Sequence, residues 1–159
     1  MLTCYLLFEV FDTMHKVVAI EGCGMERLDE SWRQLIAAAR QAMKQAYVPY
    51  SKFRVGAALR TADGQIIAGC NIENASYGLT NCAERTALFS AYAQGHRQFS
   101  AMAVIADSDG PISPCGACRQ VIYELYPIDA PILLTNLQDD IMWTTPGELL
   151  PHGFKLTQS

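Results

Sequence analysis

Three cysteines in two short blocks constrain this chain more than any other feature. Cys82 lies within Asn81-Cys82-Ala83-Glu84-Arg85. Cys115 and Cys118 lie within Ser113-Pro114-Cys115-Gly116-Ala117-Cys118-Arg119-Gln120. A metal ion held by all three requires two distant segments to meet at one point. Cysteine thiolates bind zinc, and a catalytic zinc site takes three protein ligands with a fourth position open for water. A nearby carboxylate that is not a ligand can then move protons to and from that water. The pattern therefore assigns Cys82, Cys115 and Cys118 to a metal, and Glu84 to proton transfer.

Two other readings use the same cysteines. A structural zinc site would need a fourth ligand, for which Cys70, His96 or His152 are candidates. A Cys-x-x-Cys pair can also do redox chemistry. Glu84 alone would read as an ordinary acidic residue in a first helical turn.

Bulk properties narrow the class. The 159 residues suit one domain with one core, expected over residues 25–159. Half the residues are hydrophobic and 18% are charged, an ordinary globular balance. The net charge of −4, with no Lys/Arg cluster, argues against a surface for polynucleotide phosphates. No stretch is long and apolar enough to span a membrane. The six cysteines do not have the spacing of a secreted disulfide framework and suit a reducing compartment, the cytoplasm. Cys4, Cys23 and Cys70 read as plain thiols. Leu2 to Phe11 is apolar but broken by Glu9, and it lacks the basic lead and cleavage signature of a signal peptide. Residues 1–24 therefore read as an extension, either poorly ordered or ahead of a true start at Met25.

The periodicity predicts the elements in turn. Leu28 to Tyr47 is expected as a helix, with Leu28, Trp32, Leu35, Ile36, Ala39 and Met43 as its buried stripe. Phe53 to Arg60 and Gln65 to Ile72 read as a hairpin around Asp63-Gly64. A loop from Glu73 to Asn81 precedes a helix from about Cys82 to Gln94, with Thr80 or Asn81 as its cap. Ala101 to Ala106 reads as a strand covered on both faces. A helix starts near Gly116, and Ile132 to Thr135 and Ile141 to Thr144 read as strands. Thr145-Pro146-Gly147-Glu148 resembles a capping box opening a short helix. The order predicts an α/β fold, a three-layer α/β/α sandwich with a mixed five-stranded sheet.

In this arrangement both cysteine blocks stand at helix N-termini, where free N–H groups and the helix dipole favour thiolates. Three thiolates with zinc carry a net charge of about −1. Arg85 and Arg119, each near a ligand in sequence, are candidates to offset it. Residues two apart on a helix do not face each other. In a first turn, however, Glu84 can bend over the helix end toward a group above it.

Cys82-Ala83-Glu84 with Pro114-Cys115-Gly116-Ala117-Cys118 matches the three-cysteine signature of the zinc nucleoside and nucleotide deaminases. With Tyr50 to Leu59, Gly69 to Asn74 and Leu149-Leu150-Pro151, the chain resembles the small homotetrameric cytidine deaminases over about residues 30 to 155. The general mechanism of zinc deaminases is established. The resemblance implies hydrolysis of cytidine and deoxycytidine to uridine and deoxyuridine plus ammonia, in pyrimidine salvage. Zinc, one per subunit, would be held by Cys82, Cys115 and Cys118. Hydroxide would attack C4, and Glu84 would carry protons to N3 and to the departing amine. The Ala83 backbone would bind the base, Asn71 and Glu73 the ribose, and Phe53 would pack on the ring. Arg85 would donate to the sulfurs. Tyr77 and Phe154 would line pockets of neighbouring subunits in a homotetramer. Plainer readings stand beside these: Phe53 as core, and Asn71 and Glu73 as a solvated strand edge. Other functions weighed are deamination of another aminated base, polynucleotide editing and a non-catalytic zinc-stabilised module. Asn71-x-Glu73 favours an unmodified ribose, because a buried carboxylate needs a hydroxyl to donate to it.

Overall fold

The computed structural model describes residues 28–156. The expected extension, with Cys4, Cys23 and Met25, lies outside the described residues. Helix α1 spans Glu30–Met43, and strands β1 (Val55–Thr61) and β2 (Ile66–Cys70) form the hairpin. Helix α2 (Ala83–Ala93) leads to β3 (Phe99–Ala106), and α3 (Gly116–Leu125) leads to β4 (Ile132–Asn136). Strand β5 (Ile141–Thr144) and the short α4 (Pro146–Leu149) follow. A 3-10 turn at Tyr77–Leu79 interrupts the expected loop.

The sheet order is β2-β1-β3-β4-β5. Strand β1 is antiparallel to both β2 and β3, so β2 and β3 run the same way. Strand β4 is parallel to β3, and β5 returns antiparallel. A parallel pair needs a crossover, and α3 supplies it between β3 and β4. Because β2, β3 and β4 share one direction, α2 and α3 both begin at the same edge of the sheet.

Two apolar clusters cover the two faces. One joins Val55, Ala57, Leu59, Met102, Val104, Ile132 and Leu134 to α2 and α3. The other joins Ala58, Ala103, Ile105 and Leu133 to Leu35, Ile36, Ala39 and Met43 of α1. Each fully buried Leu or Ile contributes about 1.5–3 kcal/mol. The three-layer mixed sheet is thus as expected, and β3 is covered on both faces. In β1 the alternation seen in sequence does not mark an exposed face, since Gly56 and Ala58 are also buried. Small residues there let α1 sit against the backbone. A Cβ on Gly56 would overlap the carbonyl oxygen of Ala39.

Element ends differ from expectation for identifiable reasons. Asp29 caps α1 by accepting from the Trp32 N–H (3.0 Å), so the helix starts after it. The helix ends at Met43 because the Tyr47 backbone pairs with residues 71 to 73: Tyr47 N–H donates to Asn71 O (3.1 Å) and Glu73 N–H to Tyr47 O (2.8 Å). Phe53 does not start β1. The Asn71 side chain takes the place of a ladder partner, accepting from Val55 N–H (2.9 Å) and donating to Phe53 O (2.8 Å). Ile72 leaves β2 to bridge Tyr47 and Asn81. The α4 capping box forms as read, between Thr145 and Glu148. Among the described residues, no helix is long and apolar enough to cross a membrane.

Gly56→Ala is expected to lower stability by about 1–3 kcal/mol, the usual range for overpacking. Gly110→Ala, where a Cβ meets nothing within 4 Å, is expected to stay within about 0.5 kcal/mol of the parent. Urea midpoints of the two variants check this pair.

Candidate metal centre and active site

The start of α2 is capped by Cys82 itself, not by Thr80 or Asn81. Cys82 has extended backbone angles (φ −80°, ψ 159°), and its side chain makes no cap hydrogen bond. Asn81 is used elsewhere: its backbone pairs with Ile72, and its amide donates to Thr86 Oγ1 (3.0 Å). Thr86 Oγ1 in turn donates to the Cys82 carbonyl (3.1 Å). Cys115 caps α3 in the same way (φ −66°, ψ 164°), again without a side-chain cap bond. Two helix starts therefore present sulfur where a hydroxyl or carboxylate ordinarily satisfies the first N–H groups. Cys118 is buried one turn into α3.

The three thiols form one group, with all sulfurs within 4.8 Å of one another. Cys82 Sγ and Cys115 Sγ are 3.9 Å apart. Tetrahedral zinc–sulfur bonds of about 2.3 Å place two sulfurs about 3.8 Å apart, so the spacing fits zinc. Among the described residues no fourth His, Cys, Asp or Glu joins the group, which leaves out Cys70, His96 and His152. The donor set is that of an open site, in which the protein supplies three ligands.

Electrostatics at the thiols is uneven. Cys82 is lowered to about 5, first by a hydrogen bond from Cys118 and then by Arg85. Cys118 is pushed up, because it donates to Cys82 and lies in the interior beside Glu84. Arg85 donates from Nη2 to Cys82 Sγ (3.4 Å) and to Thr80 O (3.2 Å). Its Nε is buried with no partner. Arg119, the other cation near a ligand, spends its guanidinium on Pro114, Ser113 and Leu149 oxygens instead of on sulfur. Of these two arginines, only Arg85 is set against the thiolate charge.

Glu84 follows Cys82 in the first turn of α2 and is 4% exposed. Burial pushes its carboxyl above the usual carboxylate range, and the neighbouring Cys82 charge adds to the push. The Glu84 carboxyl thus stands near the Cys82 and Cys118 thiols, at a helix start. Ala83, between them, is fully enclosed.

The remaining expected residues are dispersed. Asn71 is buried, and its amide holds the backbone of residues 53 and 55. Glu73 is not buried as the sequence argument assumed. Its carboxylate accepts from the N–H groups of Tyr50 (2.9 Å) and Ser51 (3.3 Å), and bonding from Ser51 holds it below the usual range. The need for a ligand hydroxyl at Glu73 therefore does not follow from burial. Glu73 shares a cleft of about 430 Å³ with Tyr50, Ser51, Tyr77 and Thr80. Phe53 lies in a different cleft of about 290 Å³, with Met43, Lys52, Arg54, Asp107 and Leu137. Neither cleft is lined by the thiols or Glu84. Tyr77 and Phe154 are 76% and 67% exposed. Tyr50 and Ser51 were visible only as part of the Tyr50 to Leu59 motif. Their use as backbone donors to Glu73 has no signal in residue type.

A family model for the cytidine and deoxycytidylate deaminase zinc-binding region matches residues 29–134. The cytidine deaminase of Halalkalibacterium halodurans is 61% identical over 122 residues, covering 77% of this chain and 92% of that protein. The crystal structure of cytidine deaminase from Burkholderia pseudomallei aligns with a TM-score of 0.75 at 57% identity, covering 77% of this chain and 98% of that one. The cytidine deaminase structure from Mycobacterium tuberculosis aligns at 39% identity and a TM-score of 0.68, over 80% of this chain and all of that one. The matched region contains both cysteine blocks, Glu84, strands β1 to β3 and the first part of β4. The chain belongs to the cytidine and deoxycytidylate deaminase family, as a zinc-dependent hydrolase.

Proposed function

We propose that this enzyme deaminates cytidine and deoxycytidine, yielding uridine or deoxyuridine and ammonia, in cytoplasmic pyrimidine salvage. The observation that carries the reading is the group of three thiols with the buried Glu84 beside it. The cytidine deaminases to which the chain is similar support the substrate class. Zinc held by Cys82, Cys115 and Cys118 supplies Lewis acidity, lowering the pKa of water so that a nucleophile is available near neutral pH.

The chain's own residues do the rest. Glu84 accepts the proton of the attacking water, delivers it to ring N3 and carries the second proton to the departing amine. One water enters and one ammonia leaves. The Ala83 backbone holds the base edge. Asn71, Glu73 and Phe53 shape the sugar and ring contacts, with Asn71 acting through the backbone it fixes. Arg85 stabilises the Cys82 thiolate. The free thiols of Cys70, Cys82, Cys115 and Cys118 fit a reducing compartment.

The proposal includes a homotetramer in which Tyr77 and Phe154 complete pockets of neighbouring subunits, within one domain over residues 25–159. Ile72, Tyr77 and Leu79, in the segment that includes Glu73, are 46%, 76% and 71% exposed, and exposed large apolar side chains suit an interface. Sedimentation equilibrium is expected to give four chains per particle, and a monomer at all concentrations would remove this part of the proposal.

Glu84→Gln is expected to keep one zinc per chain and the parent melting curve, yet to lose turnover of cytidine by about 10²-fold or more. An ultraviolet assay with cytidine and deoxycytidine, run beside metal analysis, decides it. Parent-like activity would refute the proton-transfer role. Cys118→Ala is expected to lose zinc and thermal stability together, because metal binding contributes to folding. Stoichiometric zinc in that variant would overturn the ligand assignment.

A further inference from the structure

Arg119 directly follows Cys118, and its backbone N–H donates to Cys115 O (2.9 Å). Its side chain makes three bonds, none to a sulfur. Nε donates to Pro114 O (2.8 Å), Nη2 to Ser113 Oγ (2.8 Å) and Nη1 to Leu149 O (3.1 Å). Two of these acceptors are the residues immediately before Cys115. The third is the last residue of α4, where helix carbonyls lack partners within the helix.

Upstream, Ile112 packs on the core and donates its N–H to Thr135 O (3.5 Å), which leaves Ser113 and Pro114 to be fixed. Pro114 is buried and has no N–H to donate, so its carbonyl is its one polar handle. The Cys115 side chain makes no bond to the α3 N–H groups. The planar guanidinium presents several donors in a rigid fork, which a lysine ammonium cannot reproduce. The neighbouring Gln120 extends the tie, donating from Nε2 to Phe154 O (3.2 Å).

We infer that Arg119 is a positioning residue for the metal centre: it clamps Ser113-Pro114 to the end of α4 and so sets where the Cys115 thiol stands relative to Cys82. The inference rests on the reading of the three thiols as zinc ligands. The competing reading is that Arg119 merely staples α4 to α3.

The test follows zinc release from the zinc-loaded full chain to a chromogenic chelator, together with the visible spectrum of the cobalt-loaded protein. Cobalt–thiolate bands report ligand geometry without substrate. Arg119→Gln is expected to weaken zinc retention by about tenfold or more and to shift the cobalt bands, as loss of outer partners of metal ligands does. Arg119→Lys is expected to recover only part of the retention. Thr145→Ala removes the α4 capping box and loosens only the Leu149 anchor, and is expected to lower the melting temperature with a smaller effect on zinc release and the cobalt bands than Arg119→Gln, because the bonds to Ser113 and Pro114 remain. Should Arg119→Gln fail to fold, Ser113→Ala deletes one bond of the clamp and is expected to shift the same readouts in the same direction. Parent-like release and spectrum in a folded Arg119→Gln or Ser113→Ala would overturn the inference, as would equally fast release from Thr145→Ala. Parent protein without stoichiometric zinc would overturn the metal reading and the clamp together. A zinc-replete parent with an indifferent variant would remove the clamp alone.

Discussion

The convergence of two helix N-termini at one sheet edge is the constraint on which everything else depends. It follows from the shared direction of β2, β3 and β4. Strands that run the same way return through helices that start on the same side, and binding sites of α/β folds collect there. Each helix start has unpaired N–H groups and a positive dipole end. Placing cysteine at both caps brings two sulfurs to that side of the sheet without spending either on a cap hydrogen bond. The 3.9 Å spacing between Cys82 and Cys115 is therefore a property of the sheet as much as of the motif.

Much of this was legible in the residues. The two cysteine blocks, the hairpin at Asp63-Gly64, the apolar run of β3 and the Thr145 capping box each have a local cause, and each forms where the pattern puts it. What was not legible depends on long-range backbone pairing. Tyr47 looks helical in its own window, yet its N–H and C=O are taken by residues 71 and 73. Phe53 alternates correctly for a strand, yet Asn71 has taken the backbone groups on either side of Arg54. Glu73 reads as a strand-edge acid, and nothing in its identity announces that two backbone N–H groups converge on it. Side chains that satisfy distant backbone groups leave no periodic trace.

The two arginines show the same division. By spacing alone Arg85 and Arg119 are alike, each close to a ligand cysteine. The fold separates them by what stands opposite. Arg85 meets a sulfur, whereas Arg119 meets carbonyls and a hydroxyl. One compensates charge and the other restrains shape. A positive side chain near a thiolate is thus no guide to electrostatic work until its donors are traced.

The edge hairpin adds a constraint of a different kind. Gly56 pairs with Cys70, and Gly69 with Ala57, so the two glycines are near neighbours across the ladder. Gly56 abuts α1, and a Cβ on Gly69 would stand 2.5 Å from the Ala87 nitrogen of α2. At this point the sheet is bare backbone on both sides, and helix α2 rests directly on it. Any side chain at Gly69 would lift the helix that carries Cys82 and Glu84. Divergence within this chain therefore has an asymmetric cost. Polar positions on the outer surface are free to drift, while the absence of a single carbon atom at Gly69 sets the height of the metal ligand above the sheet.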